Sequence, residues 1–60
     1  MDESLKGKRV KLIKMNDTQA PPPGTHGTIK GTDGIGQIHV SWDNGSSLAI
    51  DQQLDEYIIL

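Results

Sequence analysis

The stretch GQIHVSWDNGSSLAI, residues 36–50, reads as a β-hairpin. From Gln37 to Trp42 apolar and polar residues alternate strictly, with Ile38, Val40 and Trp42 on one face and Gln37, His39 and Ser41 on the other. That is the period-two pattern of a half-buried strand. Asp43-Asn44-Gly45 follows, the composition of a tight hairpin turn. A type I′ turn would place Asn44 and Gly45 at its two positive-φ positions. SSLAI (46–50) then returns antiparallel, with Leu48 and Ile50 facing inward.

Working outward, RVKLIKM (9–15) sets Val10 and Leu12 against Arg9 and Lys11, a second period-two run. Ile13 breaks the alternation and marks a bulge or coil. NDTQAPPPG (16–24) cannot be regular structure, because three successive prolines remove three backbone donors and favour extended geometry. This is a stiff connecting loop, ended by the turn residue Gly24. The stiffness suits a preorganised binding loop, and it equally suits stabilisation through the unfolded chain. THGTIKG (25–31) is a further strand, with Gly27 allowing a close approach or a bulge and Ile29 inward. TDGIG (32–36) is a turn, and it lacks the Gly-Lys-Ser/Thr and following helix of a phosphate loop. DQQLDE (51–56) has room for one helical turn, with Asp51 as its cap. YIIL (57–60) is the last strand.

These elements predict an all-β protein: a small five-stranded SH3-like barrel with one short helical turn before the last strand. Residues 1–6 are expected to be a flexible N-terminus and 7–60 a single barrel domain. The expected core is Val10, Leu12, Ile29, Ile38, Val40, Leu48 and Ile50 with Ile58 or Ile59. In a chain of 60 residues such a core is marginal. There is no cysteine and no Phe to reinforce it, so self-association into a homo-oligomer is expected.

The net charge of −2 hides a division. Residues 5–31 hold all six basic groups and one acid, Asp17, whereas 32–60 hold five acids and no basic group. Neighbouring strands could simply offer each other opposite charges. The alternative is a basic face for a small anion, or a head-to-tail contact between copies. An acidic balance disfavours general RNA or DNA binding. No apolar run approaches the roughly 20 residues that span a bilayer, and MDESLKGKR lacks the apolar stretch of a secretory signal. A cytoplasmic location without membrane contact is the resulting expectation.

The chain resembles a family of short proteins of unknown function encoded largely by phages and mobile elements of Gram-positive bacteria. GKRVKLIKMND, PPPGTHGTIKG and GQIHVSWDNGSSLAI carry the likeness over about residues 7–50. The family commonly has a proline and a second acid where Thr18 and Gly34 stand here. The resemblance implies a phage-type accessory protein, acting in the host cytoplasm, that binds one host molecule and blocks it. Sequestration of a nucleotide-derived antiphage signal by a small symmetric oligomer is one such role.

Catalysis is not expected. His26 and His39 with nearby serines lack a buried orienting acid and an oxyanion hole. No ligand spacing supports a metal site, and no cofactor is implied. The expected ligand-binding face combines the loop residues Asn16, Asp17, Pro23 and Gly24 with His26 beside them. Trp42 and Asn44 join them at the hairpin, and Arg9 and Lys11 answer negative charge. Trp42 is either purely structural or caps the core while stacking on a ligand ring. The expected partner is a small anionic or nucleotide-like ligand. The alternative is a protein-interaction module that docks on a host or phage protein.

Overall fold

A computed structural model describes residues 4–60. Five antiparallel strands run along the chain: β1 Arg9–Lys14, β2 His26–Thr32, β3 Gln37–Trp42, β4 Ile50–Asp51 and β5 Glu56–Ile59. They form one sheet in the order β4-β3-β2-β1-β5. Laid flat, five strands would span about 19 Å. Yet the two edge strands are consecutive in sequence and joined only by the turn after Asp51, where Asp55 N–H donates to the Asp51 carbonyl at 2.9 Å. The short connection requires the sheet to curl, as in a small SH3-like barrel, although β4 and β5 do not pair with each other.

The turn that joins the edges is fixed by a reciprocal pair of carboxylates. Asp51 Oδ1 accepts from Gln53 N–H at 2.9 Å, and Asp55 Oδ2 accepts from Asp51 N–H at 2.8 Å. Asp51 thus caps the turn as expected, but the turn goes no further, and the described residues contain no helix. Of the segment expected to be a flexible N-terminus, residues 1–3 lie outside the described residues. Leu5 packs against the core.

Strand parity places Val10, Leu12, Ile29, Ile38, Val40 and Ile50 inside, all fully or almost fully buried. Trp42 joins them at 2 % exposure. Leu5, Met15, Tyr57 and Ile59 pack around this cluster. The last strand therefore contributes Ile59, while Ile58 points outward at 49 % exposure. Ile13 occupies a register shift between Leu12 and Lys14, the expected bulge. A second shift lies between Ile29 and Gly31, so the irregularity in β2 falls at Lys30 and not at Gly27.

Gly27 has a different task. It lies opposite Trp42 in the β2–β3 ladder. A Cβ built on it would stand 2.6 Å from Val40 Cγ1 and 2.9 Å from Trp42 Cε3. The indole fits only because that position carries no side chain.

The hairpin after Trp42 departs from the expected turn. Asn44 does not have positive φ, whereas Gly45 does, at 92°. Gly45 N–H donates to the Trp42 carbonyl and Trp42 N–H to the Ser46 carbonyl, both at 3.0 Å. This is a three-residue loop, a type I turn with a glycine bulge, in place of type I′. Asn44 Oδ1 accepts from Ser46 N–H at 3.0 Å, which holds the turn with only one left-handed residue.

The returning strand is also shorter than SSLAI. Ladder pairs are Ile38 with Ile50 and Gln37 with Asp51, the same register that opens at Trp42 and Ser46, but residues 47–49 leave it. There the indole Nε1–H donates to the Leu48 carbonyl at 2.8 Å, and Leu48 N–H donates to Ser46 Oγ at 3.4 Å, in place of ladder bonds. Leu48 is consequently half-buried and not a member of the core.

Gly27→Ala should cost about 1–3 kcal/mol by overpacking against Val40 and Trp42. Val40→Ala should cost about 2–4 kcal/mol through the cavity it leaves. Gly34→Ala, whose added Cβ meets nothing within 4 Å, should stay within about 0.5 kcal/mol of the parent. Urea unfolding of the three variants checks the ordering.

Candidate functional site

The ladders determine which outward side chains become neighbours. Lys11 lies opposite His26 on one side and Ile58 on the other. Arg9 lies opposite Thr28, which in turn lies opposite Ser41. His26 is joined to the hairpin because its carbonyl accepts from Asp43 N–H at 2.9 Å. Arg9, Lys11 and His26 therefore share one exposed face of the barrel, with Asp43 and Asn44 at its margin.

Arg9 is held in place on this face. Its Nη1 donates to Thr28 Oγ1 at 2.9 Å and to Asp43 Oδ1 at 3.0 Å, and its Nη2 donates to Asp43 Oδ2 at 2.5 Å. The guanidinium meets the carboxylate as a two-pronged fork. These hydrogen bonds hold the Asp43 carboxyl below the usual carboxylate range, and the charges of Arg9 and His26 add to the effect. The same bonds raise the Arg9 pKa further. With side chains 44 % and 55 % exposed, the pair adds little to stability. Its consequence is positional: a guanidinium has five N–H groups, so Nε–H and one Nη2–H remain for another acceptor.

The proline-rich loop reaches this face through its C-terminal end. Pro22 to Thr25 form a turn with Pro23 second and Gly24, φ 92°, third, the type II arrangement. The Pro22 carbonyl accepts from Thr25 N–H at 3.1 Å and from its hydroxyl at 2.6 Å. Gly24 N–H donates to the Leu12 carbonyl at 2.7 Å, tying the turn to β1, and Pro21 is buried. Pro23 and Gly24 thus stand just before His26 on a fixed wall.

Asn16 and Asp17 lie in the part of the loop that follows β1. Asp17 Oδ1 accepts from Gln19 N–H at 2.7 Å, a contact internal to the loop, and nothing described brings either residue to the hairpin. Trp42 presents no face to solvent. It belongs to the buried core cluster, so of the two readings of Trp42 the stacking one finds no open ring face here.

A shallow concavity of about 330 Å³ lies elsewhere, lined by Ile35, Gly36, Asp51, Gln52 and Gln53. It contains an acid and no basic residue, so it does not suit an anion. No group of three or more His, Asp or Glu among the described residues is placed to hold a metal ion. No helix among them is long and apolar enough to cross a membrane.

A family profile described as Domain of unknown function (DUF4314) matches residues 2–60. The chain belongs to that family. No curated protein and no solved structure matches it. The family profile spans the whole described barrel, so the Arg9–Asp43 fork, the proline turn and the indole all fall inside it.

Two acids escaped the sequence reading. Asp43, taken as part of a turn, is the partner that orients Arg9. Asp33 accepts from Ile35 N–H and Gln37 N–H through Oδ1, both at 3.0 Å, and meets His39 Nε2 through Oδ2 at 3.0 Å. The signal for Asp33 was its position just before a Gly-x-Gly turn, where a carboxylate caps free N–H groups. The Gln37 bond leads, followed by that from Ile35 and the contact with His39, in lowering its pKa.

The sign of the pH response follows. Carboxyls whose folded pKa is depressed stabilise the fold above the unfolded value of about 3.9 and lose that contribution as pH falls through the folded value. The urea midpoint should therefore drop as pH is lowered from about 5 toward 2. Asp33→Asn and Asp43→Asn should each flatten part of the drop. Unfolding curves across this range check it.

Proposed function

We propose that this protein is a non-enzymatic binding protein that captures a small anionic, nucleotide-like ligand on the outer face of β1 and β2. The observation that carries the reading is the grouping of Lys11, His26 and the forked Arg9 beside the rigid Pro23-Gly24 turn. Lys11 supplies a mobile cation, and Arg9 supplies two donors already fixed in direction. His26 supplies a flat ring with a hydrogen-bonding nitrogen. The preset turn reduces the entropy lost on binding. Asp43 limits the site, since its carboxylate repels an anion and occupies half of the guanidinium.

The likeness to phage-encoded proteins supports a finer form of the proposal. In it, the ligand is a nucleotide-derived signal of antiphage defence, held out of circulation in the host cytoplasm. Such a role needs affinity and no chemistry. It agrees with a face that has donors but no nucleophile paired to a base.

The test starts with small molecules released when protein purified from immune-activated cells is denatured. Stoichiometric recovery of a nucleotide supports the proposal, and a blank together with a co-purifying protein favours a docking module instead. With a recovered ligand, Lys11→Gln should lose about 1.5–3 kcal/mol of binding, the worth of a charge-assisted hydrogen bond. Arg9→Gln and His26→Ala should also weaken it. Asp43→Asn should strengthen it, and added salt should weaken it. Calorimetric titration of folded variants decides, and unchanged affinity in all of them removes this face as the site.

A further inference from the structure

The sheet has two edges, and they are unequal. β4 is 2 residues long and includes Asp51. β5 is 4 residues long and continues into Leu60, with Glu56 as its only charged side chain. Edge strands are normally blunted by brevity, lysine, proline or a bulge. β4 has the first of these, and Tyr57-Ile58-Ile59-Leu60 has none.

The direction of the β5 peptide groups can be read from one bond. Leu60 N–H donates to the Arg9 carbonyl at 2.9 Å. Antiparallel ladders alternate, so Ile58, opposite Lys11, also turns its N–H and C=O toward β1. Tyr57 and Ile59 turn theirs away, and no bond to those groups is made among the described residues. On the outer face Ile58 is 49 % and Leu60 59 % exposed.

We propose that a second copy of this chain pairs with β5, antiparallel, about a two-fold axis through Ile58. This register is self-complementary on three counts. Tyr57 of each copy falls opposite Ile59 of the other, so the residues with outward peptide groups meet and exchange both bonds of a hydrogen-bonded pair. Ile58 then faces its own symmetry mate as the non-hydrogen-bonded pair, where side chains stand closest and Cα atoms are about 4.5 Å apart. Glu56 falls opposite Leu60, which leaves the two glutamates about 13 Å apart at opposite ends of the pairing. The half-buried Tyr57 and Ile59 remain on the core side.

The paired sheet puts Lys11, Ile58, the second Ile58 and the second Lys11 in one row, with the two lysines about 14 Å apart. The candidate ligand faces of both copies then lie on one surface. A pairing this short buries less than the roughly 1,600 Å² of a standard interface, so the dimer depends on concentration.

Sedimentation of the full chain from micromolar to millimolar concentration should show a monomer–dimer equilibrium. Ile58→Lys, at a side chain outside the core, should weaken the dimer by about a hundredfold or more while circular dichroism stays that of the parent. The chain has no cysteine, so Ile58→Cys provides an independent trap. Under mild oxidation it should form a covalent dimer at least about tenfold faster than Ile35→Cys, because a non-hydrogen-bonded pair meets disulfide geometry. The trap decides the matter if the lysine variant fails to fold. The proposal is overturned by a monomer across the whole series, by a dimer that survives Ile58→Lys, or by equal crosslinking of the two cysteine variants.

Discussion

The contact between Gly27 and Trp42 is the constraint on which the rest of the barrel depends. A core without phenylalanine needs one large side chain to fill the end of a curled sheet, and the indole is the only group of that size available. It can pack against β2 because Gly27 leaves room where any Cβ would stand within 3 Å of Val40 and Trp42. Burial of the indole stabilises the core only if its N–H finds an acceptor. The Leu48 carbonyl supplies one. A glycine on one strand and a carbonyl beyond the next hairpin are therefore both consequences of one aromatic residue.

The same pairing organises the outer surface. Placing Gly27 opposite Trp42 places His26 opposite Asp43, one step along the ladder and on the other face. Asp43 then stands where Arg9, reaching over Thr28, can meet it with both terminal nitrogens. The motifs THG and WDN touch twice, once inside through glycine and indole, and once outside through histidine and aspartate. The polar cluster is thus positioned by the packing beneath it, which gives a small protein a defined surface without a second layer of structure. Its cations remain only partly neutralised, because one carboxylate serves the guanidinium and none is bound to Lys11 among the described contacts.

Period-two alternation was enough to place β1 and β3 and to name most of the core, since parity alone decides which face of a half-buried strand is apolar. It misplaced Leu48, whose parity is inward, because alternation contains no information about a side-chain donor competing for the backbone carbonyl. Asn44-Gly45 identified the hairpin but not its turn type. The choice between two left-handed residues and one depends on what the Asn44 side chain bonds, and Ser46 N–H lies within reach. In the candidate site, the cations and His26 were legible from parity and loop position. Asp43 was not, because its partner lies 34 positions away, a separation that only the ladder registers bring to bonding distance.

The inequality of the two sheet edges has the same origin. The indole takes the Leu48 carbonyl, and the β3–β4 ladder, open at Trp42 and Ser46, resumes only at Ile50, so β4 is short. The turn after Asp51 then returns the chain directly to β1, and β5 becomes the outer strand for its full length. Its inward residues are needed to complete the core, so it must be apolar on that face. Its outward residues are under no such requirement, yet Ile58 and Leu60 are apolar as well.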